Sequence, residues 1–139
     1  MNHVTYKELF EFIRATRKRE DELSKEQSAY AAENPVLSKE TVIDEEKSVR
    51  WNREEVVRRN NSRKGTLAAY TAKINQCSKD INEKTIAYIR SEFDFGETIA
   101  RIIFNQAYES DHHAGAEEVA NYAHNYGLLA EQIINAIDT

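Results

Sequence analysis

The chain has 139 residues, of which 40% are apolar and 31% charged, with one proline and four glycines. Such a length suits a single domain, and the shortage of helix breakers favours a mainly α protein. The formal net charge of −5 argues against nonspecific binding to duplex nucleic acid, but residues 68–139 carry five basic and eleven acidic side chains while the remainder is nearly balanced.

The opening MNHVTYKELFEF lacks a basic stretch followed by an unbroken apolar core. No segment of the chain approaches the roughly 20 apolar residues needed to span a bilayer. A cytoplasmic protein without a membrane partner is expected. Cys77 is the only cysteine, which excludes an intramolecular disulfide and fits a reduced compartment.

Thr5 followed by Glu8 is a capping-box pattern, and Tyr6, Leu9, Phe10 and Ile13 then supply an apolar helical stripe. From Arg14 to Gln27 the helix turns almost wholly polar, relieved by Ala15 and Leu23, so this stretch is solvated or bridges to something else. Asn34-Pro35 ends it, because proline disfavours α geometry in the preceding residue. Next, Thr41-Val42-Ile43 and Ser48-Val49-Arg50-Trp51 are β-rich runs around Asp44-Glu45-Glu46-Lys47, predicting a small β-hairpin or extended excursion near residues 41–51. Asn52 with Glu55 reads as an N-cap and its N3 carboxylate, and Trp51 with Val56 as a hydrophobic staple, for a helix starting at residue 53.

Leu67, Tyr70, Ile74, Cys77, Ile81 and Tyr88 recur at three- and four-residue steps, the seam of a long central helix. Ala69, Ile86, Ile89 and Phe93 broaden it. Gly65 leaves open whether this helix is interrupted, since glycine costs about 1 kcal/mol in a helix interior. Unbroken from Arg53 to Phe93, the helix would be about 60 Å long, and its seam would call for another subunit. Asp94-Phe95-Gly96 supplies a turn before the stripe Ile99, Ile102, Ile103 and Ala107, and Gly115 closes that helix. The last helix carries Val119, Tyr122, Ala123, Tyr126, Leu129, Ile133, Ile134 and Ile137, with Gly127 marking a close helix approach. The expected organisation is an N-terminal helix and arm over residues 1–51 and a helical core over 52–139, a helical bundle with a coiled-coil-like centre.

Two clusters carry potential chemistry. Arg50, Trp51, Arg53, Arg58, Arg59, Arg63 and Lys64, interleaved with Asn60, Asn61 and Ser62, could neutralise phosphates while the indole stacks on a base. The bland reading is a solvated face in which Glu54 and Glu55 pair with nearby arginines. The second cluster, Glu109, His112, His113 and Glu117, includes a Glu-x-x-His spacing of the kind found in di-iron bundles, but those use two such motifs and two further glutamates. The bland reading there is a solvated helix end. The nearby GAEEVANYAH segment is similar to the acidic pairs of all-α nucleotide pyrophosphohydrolases, which hold magnesium through carboxylates on facing helices. Its second acidic pair is missing. No glycine-rich phosphate loop, nucleophile elbow or zinc spacing occurs.

The expected function is therefore that of a non-enzymatic, cofactor-free binding protein that self-associates through Leu67, Tyr70, Ile74, Cys77, Ile81 and Tyr88 as a homo-oligomer. It would act as a regulatory or inhibitory adaptor on a protein partner, a role common among small acidic phage and mobile-element proteins. A nucleotide- or nucleic-acid-binding sponge or sensor using residues 50–64 is the alternative, and an all-α metal-dependent nucleotide hydrolase the third reading.

Overall fold

The computed structural model describes residues 3–110 and 116–138, and the side chains among these except those of 107–119 and 138. Four helices follow one another: α1 (Tyr6–Glu33), α2 (Val49–Phe93), α3 (Glu97–Ser110) and α4 (Ala116–Asp138). Mainly α architecture is as the composition implies, and no strand occurs among the described residues. Nor is any of these helices long and apolar enough to cross a membrane.

Local chemistry sets the helix ends. Thr5 Oγ1 accepts the Glu8 amide at 3.1 Å, the expected cap of α1, and Val4 and Leu9 enter the same apolar cluster from the two positions of a hydrophobic staple. Asn34 closes the far end, its amide and Nδ2 both donating to the Tyr30 carbonyl before Pro35. α2 begins four residues earlier than the sequence suggests. Ser48 is its cap, with Oγ accepting the Trp51 amide at 3.0 Å, so Asn52 lies inside the helix and the boundary expected between residues 51 and 52 falls within it. The hairpin does not form, because Asp44 turns the chain through its carboxylate, which accepts the Glu46 amide, and Ser48 captures the following segment as helix.

α2 runs unbroken through Gly65, where an added Cβ would meet nothing within 4 Å. It ends at Phe93, followed by Asp94 in the left-handed region at φ 55°, a common helix exit.

Contacts divide the chain into two compact units, Met1–Arg19 with Cys77–Thr139 and Glu20–Gln76. Helices α1 and α2 each contribute to both. In the first unit Val4, Leu9, Ile13, Ile81, Ile86, Tyr88, Ile89, Phe93, Ala100, Ile103, Phe104, Ala120 and Ala123 form one core. Tyr6, Tyr88, Phe93 and His124 meet there with ring centroids 5.5–6.3 Å apart, and Phe95 stacks on Phe93 at 5.8 Å. Tyr88 Oη and His124 Nδ1 are 2.5 Å apart, satisfying the one polar atom of a side chain that is otherwise wholly enclosed. Burial raises the Tyr88 phenol pKa, with a smaller push from the Glu92 charge.

α4 meets this core through the small residues Ala120, Ala123, Gly127 and Ala130, as the sequence anticipated for Gly127, together with His124 and half-buried Tyr126. The Phe93 ring fills the space that a side chain at 127 would need, its Cε2 lying where an added Cβ would sit. Two expected stripes differ from the observed ones. In α3 the buried residues are Ala100, Ile103 and Phe104 while Ile99 and Ile102 are exposed, and in α4 Leu129, Ile133, Ile134 and Ile137 are exposed. For α4 length contributes, since α3, with 14 residues, cannot cover all 23 of the helix it packs against; in α3 the covered face is the one shared by Ala100, Ile103 and Phe104.

In the second unit Leu23 and Val56 are buried, and Gln27 joins α1 to α2 by donating from Nε2 to the Leu67 carbonyl at 3.0 Å and to Thr71 Oγ1 at 2.9 Å. Here the polar stretch of α1 does bridge.

The two helical glycines should respond oppositely to alanine. Gly65→Ala has open space and ordinary helical φ, and should stabilise by about 0.5–1 kcal/mol. Gly127→Ala drives a methyl into the Phe93 ring and should cost about 1–3 kcal/mol. Urea unfolding of the two variants checks this, and a shift of the same sign in both would contradict the packing.

Candidate binding site

The segment between α1 and α2, residues 34–48, lies along one face of α2 within the second unit. Asn52, Val56, Asn60 and Arg63 recur on that face at helical spacing. Val56 is buried, and the three polar residues hold the segment by its backbone. Arg63 Nε donates to the Asn34 carbonyl. Asn60 makes a two-way clasp with Leu37, its Oδ1 accepting the Leu37 amide at 2.9 Å and its Nδ2 donating to the Leu37 carbonyl at 3.0 Å. Asn52 does more. Its Oδ1 accepts the amides of Ile43 at 2.7 Å and Asp44 at 3.0 Å, and its Nδ2 donates to the carbonyls of Asp44 at 3.0 Å and Ser48 at 2.9 Å. All four hydrogen-bonding positions of the amide are thereby used in a buried site.

Clamped in this way, the segment forms two concavities with α2. The larger, about 850 Å³, is lined on its apolar side by Val42, Val49, Val56 and Val57, and on its charged rim by Lys39, Glu40, Glu45, Lys47 and Arg53. Val42, Val49 and Val57 are each about 60–70% exposed, unusual for three neighbouring valines. The smaller, about 400 Å³, gathers Arg58, Arg59 and Arg63 with Tyr30, Glu33 and Ser62.

The basic residues singled out in the sequence therefore separate. Arg53 lines the larger groove and, among the described residues, makes no hydrogen bond or ion pair. Arg58, Arg59 and Arg63 share the smaller cavity. Arg50 is paired with Glu54 at 3.1 Å and lines neither, as is true of Lys64 and of half-buried Trp51, whose ring lies 5.8 Å beneath Lys47 Nζ. Glu55 takes both neighbours, with Arg58 Nε and Arg59 Nε each 3.0 Å from its carboxylate oxygens. Those hydrogen bonds, that from Arg58 first, lower the Glu55 pKa from 4.5 to about 2.

Of the seam residues, Ile81 and Tyr88 belong to the core of the first unit and Cys77 is buried, whereas Leu67, Tyr70 and Ile74 are half-buried. The metal candidates Glu109, His112, His113 and Glu117 lie outside the described residues or side chains. The valine groove and the clasp by Asn60 escaped the sequence reading. Three exposed-type valines around an acidic turn are the only signal of the groove, and an asparagine that binds loop backbone is indistinguishable in sequence from one that caps a helix.

Two outcomes are expected. Asn52→Ala should cost at least about 2 kcal/mol, because two loop amides lose their acceptor in a buried site, against about 1 kcal/mol for loss of a simple cap; urea unfolding and amide exchange at Ile43 and Asp44 measure it. Glu55 should titrate near pH 2, so the stability that its ion pairs contribute is complete above about 4.5 and is lost as pH falls through about 2. The carboxyl carbon resonance of Glu55 reports this, and a midpoint near 4.5 would mean that the arginines do not hold it.

No protein-family profile, curated protein or solved structure matches the chain.

Proposed function

We propose that the protein is a non-catalytic binding module, a regulatory adaptor, whose recognition surface is the groove between residues 39–49 and α2 and whose partner is a protein segment bearing apolar side chains next to carboxylates. The observation that carries this reading is the pairing of an exposed valine floor, Val42, Val49 and Val57, with Arg53, a rim cation without a partner among the described residues. Apolar area supplies affinity without direction, and Arg53 on the mixed-charge rim supplies orientation and on-rate. A rigid floor favours this use. The groove is shaped by side chains whose hydrogen bonds are already made, so little ordering cost remains for binding.

Selection of peptides from a displayed random library tests the reading. Recovered sequences should combine apolar and acidic residues, and their binding should fall at least tenfold with Val57→Asp and with Arg53→Glu, both exposed substitutions that leave the unfolding transition unchanged. Failure to recover such peptides, or equal binding by both variants, would overturn it.

A second reading is favoured by one feature, the convergence of Arg58, Arg59 and Arg63 with Tyr30 around the smaller cavity. Three guanidinium groups beside a phenol suit an anionic nucleotide or nucleic acid. Glu55 competes for two of the three. Under this reading the triple alanine variant of those arginines loses nucleotide binding, with a shallow salt dependence for a mononucleotide and a steep one, near one unit per phosphate contacted, for a nucleic acid.

A further inference from the structure

Among the described residues, the most apolar exposed surface lies on α4, in the first unit, away from every residue of the groove in sequence. Leu129, Ile133 and Ile137 are 51%, 52% and 76% exposed, and Tyr122 is 37% exposed. Together with half-buried Tyr126 they recur at steps of four, three, four and four residues, a single stripe down the helix. The adjoining face of α4, through Ala120, Ala123, Gly127 and Ala130, is the one that meets the core. From Glu131 to Ile137 every side chain is exposed. Two turns of helix with so little burial are marginal in water, because helical stability in proteins comes chiefly from tertiary burial.

We propose that this stripe pairs, antiparallel, with the same stripe of a second copy of the chain. Three properties select that occupant. The first is charge: between Tyr122 and Ile137 there is no lysine or arginine and Glu131 is the only carboxylate, and helical geometry sets it on the side away from the stripe. Asn125, Gln132 and Ala136 flank the apolar residues, so two copies meet without like-charge repulsion. The same absence of lysine and arginine disfavours an anionic lipid surface, since interfacial helices hold their membrane with basic side chains.

Area is the second property. From the fractional exposures, the stripe and its neighbour Ile134 present on the order of 500 Å² of apolar surface, so two copies supply about 1,000 Å², the lower bound for a specific interface. Shape is the third. A twofold axis between Leu129 and Ala130 sets Tyr122 against the partner's Ile137 and Tyr126 against the partner's Ile133, matching the aromatic half of each stripe to the aliphatic half of the other. Each contact then occurs twice, as an isologous interface requires.

Light scattering coupled to size exclusion tests the pairing. The wild type should elute at twice the chain mass at high micromolar concentration, and Ile133→Asp should elute at the chain mass with its near-ultraviolet spectrum retained, because Ile133 is exposed in the protomer. A monomeric wild type overturns the proposal, as does an Ile133→Asp variant that remains dimeric. Register is read by single-cysteine cross-linking with Cys77 left in place. Leu129→Cys should form a disulfide-linked dimer on mild oxidation and Ile137→Cys should not; linkage at 137 without linkage at 129 would overturn the antiparallel arrangement.

Discussion

The architecture of the second unit depends on satisfying the backbone of a long connection that has no secondary structure of its own. Residues 34–48 are exposed or half-buried and, apart from bonds such as those from the Asn34, Thr41 and Lys47 amides to the Tyr30, Ser38 and Asp44 carbonyls, lack main-chain partners to supply hydrogen bonds. Side chains of α2 supply them instead. Asn52 is an economical choice because a primary amide presents the same donor and acceptor as a peptide group, and can stand in for a neighbouring strand. Without that substitution the valines of the connection would have no fixed positions, and the groove would not exist.

The first unit is governed by a different constraint, the accommodation of aromatic rings. Phe93 and Tyr88 occupy volume that α4 would otherwise fill, and α4 yields it by presenting alanine and glycine on its inner face. Apart from His124 and Tyr126, which pack on those rings, the bulky residues of α4, Leu129, Ile133, Ile134 and Ile137, are exposed. A stripe of large apolar side chains normally marks the core face of a helix, but here the core is already furnished from α2, and close approach is worth more than added bulk.

Helices and their natural ends were largely legible in the sequence, because caps and breakers act within a few residues. Thr5 with Glu8, and Asn34 with Pro35, are local rules that tertiary structure did not override. Ser48 and Asn52 show where local rules fail: both fit a cap four residues apart, and the choice between them turned on whether Asn52 was needed by a segment eight residues upstream. The outward stripe of α4 was unreadable for a related reason. Periodicity reveals which residues share a face, but which of two apolar faces is covered depends on the length and bulk of a neighbour. Of the site, the arginines were visible as composition; their division between two concavities depended on the path of the connection.

Cys77 offers a last consequence. It is the sole thiol and is buried within the first unit, 8% exposed. Its chemical modification therefore requires the helix to open, and where reclosing outruns the reagent, the observed rate is the intrinsic thiol rate multiplied by the population of the open form. The protein carries its own clock for local opening. Anything that quiets the breathing of α2 near residue 77, a bound partner included, would be registered as slower alkylation at a position that the partner need not touch.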